Sequence, residues 1–131
     1  MSDERRLGGR GLARAFGFAY QGLHTAWSTQ RNFRIEVAIG AVAGLLCWWS
    51  GAPYTPVLVM TGLVLGLELI NSAVEALVDL VEPNVNPTAA AAKDLAAAAV
   101  LVAAGVALLV GVLVIGPPLV YKLSGLLGGG A

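Results

Sequence analysis

Apolar and polar positions divide the 131-residue chain into four helical stretches and leave no alternating pattern that would make a strand. Leu12, Phe16, Tyr20, Leu23 and Trp27 fall at i, i+4, i+8, i+11 and i+15. At about 100° per residue they share one side, with Arg10, Arg14, Gln21, His24 and Ser28 on the other. This predicts an amphipathic surface helix over about residues 8–30. Three long apolar runs follow and predict membrane spans over about residues 33–49, 57–81 and 89–120. The turn residues of SGAPYTP (50–56) and EPNVNPT (82–88) separate them, and Pro117-Pro118 predicts the end of the third. Residues 123–131 read as a flexible tail.

Composition agrees with this division. Hydrophobic residues make up 57% of the chain and charged residues 12%, with a mean hydropathy of +0.78. Soluble domains carry roughly 25% charged residues, so the chain is all-α and membrane-embedded, a single domain. Net charge is zero, yet Arg5, Arg6, Arg10, Arg14, Arg31 and Arg34 all precede the first long apolar run. That asymmetry predicts a cytoplasmic N-terminus. The single Cys47 lies in an apolar run and has no partner for an internal disulfide.

The middle span breaks the apolar pattern. Within LELINSAVEALVDLVEP, residues 67–83, it carries Glu68, Asn71, Glu75, Asp79 and Glu82. On a helix these lie within about 80° of one another and extend over about 20 Å. A carboxylate near the bilayer centre costs roughly 2.5–3.5 kcal/mol, so a row of them must face protein, water or cations. Glu82, beside Pro83, is at the interface and open to solvation. Lys93 and Asp94 enter the third span level with the lower part of this row. They read either as a snorkelling lysine with an acid near a helix start or as a phosphate-binding cation beside metal-binding acids.

Two classes of function fit. A nucleotide-using enzyme needs hard oxygen ligands for Mg²⁺, a cation on the phosphates and a base for the nucleophile. An ion-conducting or transport subunit needs carboxylates along its path. There is no Walker-type phosphate loop, and no Cys/His cluster for zinc.

RNFRIE (31–36), ELINSAVEALVD (68–79) and AKDLAAAAVL (92–101) together resemble the small integral-membrane diacylglycerol kinase and undecaprenol kinase family of bacteria. The likeness runs from about Leu12 to Tyr121. It implies transfer of the terminal phosphate of MgATP to the hydroxyl of a membrane lipid, in a homotrimer in the bacterial cytoplasmic membrane, with no nucleic acid among its partners. By the same resemblance Glu68 is the general base and Glu75 a metal ligand, while Asn71, Asp79, Lys93 and Asp94 surround the nucleotide. The family usually has Glu where this chain has Gln30, a position that shares the metal with Glu75. An amide oxygen ligates Mg²⁺ without bringing charge, so metal affinity is expected to be weaker. Glu36 or another acid could compensate. A weakly active member and a silent scaffold therefore stand beside the kinase reading, and the substrate leans to undecaprenol over diacylglycerol.

Overall fold

A computed structural model describes residues 2–128, with side chains from residue 11 onward. Four helices follow in order: α1 (Ser2–Thr29), α2 (Arg31–Ser50), α3 (Tyr54–Val81) and α4 (Pro87–Gly128). Among the described residues there is no strand. The last three helices are long and apolar enough to cross a membrane. The chain forms two units, residues 1–31 and 32–131.

The first unit is α1. Its last turn folds its hydroxyls back on its own carbonyls: Ser28 Oγ donates to the His24 carbonyl at 2.8 Å, and Thr29 Oγ1 to that of Thr25 at 2.8 Å. The apolar stripe Leu12, Phe16, Tyr20, Leu23 and Trp27 is exposed throughout, as suits a helix whose apolar side meets lipid.

In the second unit each helix end has a local cause. α2 stops because Gly51 takes φ +79°, which lets Gly51 N–H and Ala52 N–H both donate to the Cys47 carbonyl, at 2.9 and 3.1 Å. α3 begins at Tyr54, three residues before the expected start, and takes Pro56 into its first turn. The first four N–H groups of a helix have no internal partner, so a proline there forfeits no bond. At the other end Pro83 blocks extension after Glu82 N–H has bonded the Val78 carbonyl at 2.8 Å.

The α3–α4 turn is organised by side chains. Glu82 accepts from Asn84 N–H at 3.3 Å and from the Asn84 and Asn86 amides at 3.4 Å each. Asn86 in turn caps α4, its Oδ1 accepting from Thr88 N–H at 2.9 Å, and Pro87 opens the helix.

The far end of α4 departs from the sequence expectation. The helix continues through Pro117 and Pro118 to Gly128, so residues 123–128 are helical and not a loose tail; residues 129–131 lie outside the described residues. Proline removes a donor but keeps a helical φ, so a helix persists across it when packing holds both sides. Here Ile115 and Leu119, before and after the prolines, join a cluster with Cys47, Ala52 and Val57. Beyond them the Lys122 ammonium donates to the Trp49 carbonyl of α2.

α3 and α4 pack on each other, and α2 comes close to α3 at Gly40, beside Thr61. A Cβ at Gly40 would stand 2.5 Å from the Thr61 methyl carbon. Gly40→Ala is expected to destabilise the bundle by about 1–3 kcal/mol, because the overpacking exceeds the roughly 1 kcal/mol that alanine gains over glycine in a helix. In a Thr61→Ser background, where the methyl is gone, the same change is expected to turn neutral or stabilising. Unfolding of the four proteins in detergent measures both signs, and a Gly40→Ala penalty unchanged by Thr61→Ser would refute the contact.

Candidate active site

The polar row of α3 is a continuation of its packing face. Val57, Val64, Glu68 and Asn71 are its buried residues, at i, i+7, i+11 and i+14, so one strip of the helix turns from apolar to polar as it descends. Burial falls along the row. Glu68 is 4% exposed and Asn71 8%, Glu75 is half-buried, and the Asp79 side chain is 65% exposed.

Within the row, the Asn71 amide donates to Glu75 Oε1 at 3.3 Å, and this leaves Asn71 Oδ1 buried without a partner. Glu36, on α2, also has a buried and unpartnered oxygen, Oε2. The charges of Glu36 and Glu68 act on each other, and so do those of Glu68 and Glu75. Two turns of α3 together with Glu36 of α2 thus bring together three carboxylates and an amide, of which Glu36 Oε2 and Asn71 Oδ1 are buried acceptors with no donor. Buried acceptors without donors are costly, and oxygen-rich clusters of this kind suit a proton donor or a hard cation.

Lys93 supplies positive charge from α4, its Nζ 2.5 Å from Asp79 Oδ1. An ion pair this exposed contributes roughly 0–1 kcal/mol, so its value is positional. It sets the register of two antiparallel helices, and equal rise along both puts Glu68 about level with Ala104. Asp94 is exposed and lies about 100° around the helix from Lys93, away from the Asp79 contact. Gln30 belongs to the other unit, where its backbone N–H closes α1 on the Ala26 carbonyl at 2.8 Å.

Among the described residues no three Asp, Glu, His or Cys side chains form a closed metal cage. On α3 the oxygens of Glu75 and the unpartnered Asn71 Oδ1 are the hard donor type that divalent cations such as Mg²⁺ take.

Above the polar row lies a cavity of about 590 Å³ between α2, α3 and α4. Its walls are apolar, among them Ile39, Met60, Val64 and Leu108, and Glu36 is the one charged residue lining it. Leu65 and Ala104 mark the same lower level, one turn of α3 from Glu68. Glu36 is the residue that sequence reasoning undervalued. In the sequence it reads as an acid able to compensate for Gln30; Arg34 and Glu36 are the two charges at the start of the span predicted over residues 33–49.

The sequence model of the prokaryotic diacylglycerol kinase family matches residues 17–115. The chain belongs to this family. A diacylglycerol kinase of Escherichia coli K12 is 34% identical over 101 residues, covering 75% of this chain and 83% of the relative. One from Synechocystis is 44% identical over 111 residues, 80% of this chain and 62% of the relative. An undecaprenol kinase of Bacillus subtilis is 34% identical over 109 residues, 81% and 89% of the two chains. The matched segment holds every candidate residue from Gln30 to Asp94 and ends at Ile115, before the two prolines of α4.

Removing charge at Glu36 tests the electrostatics of the cluster. Glu36→Gln eases the repulsion with Glu68 and lets an amide donate where an acceptor stood unpartnered, so it is expected to stabilise the bundle by about 1 kcal/mol or more. Thermal unfolding in detergent reads the change, and a lowered midpoint would refute the assignment of Glu36 as an uncompensated acid.

Proposed function

We propose that this protein is a lipid kinase that transfers the terminal phosphate of ATP to the hydroxyl of a membrane lipid at the cytoplasmic face, as a homotrimer with active sites between protomers. Family membership supports the kinase activity. The observation that carries the lipid substrate is the cavity: an apolar slot between three spanning helices that ends at Glu36, one turn from buried Glu68. A hydrocarbon chain in that slot leaves its polar end among the carboxylates. An ion path would need polar walls at this depth, which the cavity does not offer.

The residues divide the work by depth. Glu68, the deepest of the α3 acids, takes the proton of the lipid hydroxyl as its oxygen attacks the terminal phosphorus of ATP and ADP departs. Burial away from water keeps this carboxylate for the hydroxyl. Asn71 donates to Glu75 and holds it in place. Glu75, the Asn71 carbonyl oxygen and Gln30 are the groups to hold Mg²⁺, which when bound offsets charge on the phosphates. Lys93 meets the phosphates, and Asp79 steers it there. Asp94, exposed beside Lys93, faces the nucleotide side of the site. Transfer at the membrane surface is then chiefly a matter of positioning and charge.

The deciding assay offers diacylglycerol and undecaprenol in parallel to membranes containing the protein, with labelled ATP and millimolar Mg²⁺. Label is expected in one of them, with undecaprenol favoured, and transfer to neither overturns the proposal. Glu68→Gln is expected to lower the rate by about 10²-fold or more while nucleotide binding persists, the usual scale for a lost general base. Gln30→Glu adds a charged ligand and is expected to lower the Mg²⁺ concentration for half-maximal rate. An unchanged requirement would place Gln30 outside the metal shell.

A further inference from the structure

The last residues of α4 lie beyond the family-matched segment and carry a different pattern. From Leu119 onward, Leu119, Val120, Leu123, Leu126 and Leu127 occupy an arc of about 120°, while Tyr121, Lys122 and Ser124 lie outside it. Leu123, Leu126 and Leu127 are exposed, as is Tyr121. A uniformly apolar span has become an amphipathic helix.

Depth agrees with that change. Lys93 and Lys122 are the only cations of α4 and stand about 44 Å apart along a helix of 1.5 Å rise. A bilayer with its headgroup layers measures about 40–45 Å. With Lys93 at one headgroup layer, Lys122 reaches the other.

The surroundings of Lys122 are built from neutral groups. Its ammonium donates to the Trp49 carbonyl and sits over the Trp49 ring, 5.1 Å from the centroid. That carbonyl belongs to the last turn of α2, where the helix dipole is negative and carbonyls lack internal partners. Residues 37–67 and 95–131 contain no Asp or Glu, so neither the α2–α3 corner nor the rest of α4 brings an acid to this cation. An ammonium has three N–H donors, and one is used on Trp49. The anion present at this depth is lipid phosphate.

We propose that Lys122, seated on Trp49, binds the phosphate of an anionic phospholipid headgroup at the membrane face opposite the kinase site. The carbonyl and the ring hold the ammonium in one place and orient its remaining donors toward the headgroup layer. The amphipathic arc after Pro118 lies along the interface beside it.

The test uses the full chain in nanodiscs, with Trp27→Phe and Trp48→Phe leaving Trp49 as the fluorophore. Quenching by brominated phosphatidylglycerol is compared with quenching by brominated phosphatidylcholine. A preference of about fivefold for the anionic lipid is expected, the scale of a single lysine near a charged surface. Lys122→Met is expected to abolish the preference and Lys122→Arg to keep it, with helicity by circular dichroism confirming that each variant is folded. Equal quenching by the two lipids, or a preference that survives Lys122→Met, overturns the proposal. Inorganic phosphate added at constant ionic strength is expected to leave the preference intact; its loss would assign the site to the free ion and overturn the headgroup reading. Kinase activity is not the readout, so the result is independent of the function proposed above.

Discussion

Like charges crowded in an apolar medium are the constraint around which the rest of the structure is arranged. Glu36 on α2 and Glu68 on α3 repel each other, as do Glu68 and Glu75 along α3, in helices that lipid surrounds. Water cannot screen them there as it would at a protein surface, and two buried oxygens of the cluster have no donor. A fold selected for stability alone would have leucines in these places. Retaining the acids has a use only if a cation, a proton or both arrive during the working cycle, which is the physical reason a phosphate-transferring site is a better account of them than packing.

Such a cluster needs a rigid frame, and small residues make one possible. Without a hydrophobic force to press helices together inside a bilayer, close backbone approach and dispersion supply the contact. Gly40 against Thr61 is one such close approach, one turn above Glu36. The alanines at the start of α4 have the same use, letting that helix lie against the polar row while Lys93 reaches Asp79. At the lower end, Glu82 and Asn86 are spent on the turn and on the cap of α4, so the outermost acid of the row is an architectural residue.

Much of this was legible in the chain. The four helices and the shared face of Glu68, Asn71 and Glu75 follow from period alone, whereas spacing leaves Lys93 open between snorkelling and a role beside that face, and its contact with Asp79 belongs to the folded chain. The helix ends were harder, and for one reason: proline was read as a stop where its effect depends on position. Pro56 and Pro87 lie in first turns, where no N–H is needed, and Pro117 and Pro118 are bridged by packing that only tertiary contacts reveal. The buried, unpartnered oxygen of Glu36 and its place on the cavity wall depend on the neighbouring helices, which the period of a single helix does not show.

The two cations of α4 show how one chemistry serves opposite ends of a helix. Lys93 is paired with a carboxylate, so its charge is directed and partly offset before any phosphate approaches. Lys122 rests on a carbonyl and an aromatic ring, which orient the ammonium while leaving its full charge. A residue that must release a charged product benefits from a competing acid, since the acid takes back the ammonium when the phosphate leaves. A residue that keeps a lipid in place has no such need, and a neutral seat holds it without competition. On the proposed roles, the different partners of the two lysines match turnover at one face of the bilayer and anchorage at the other.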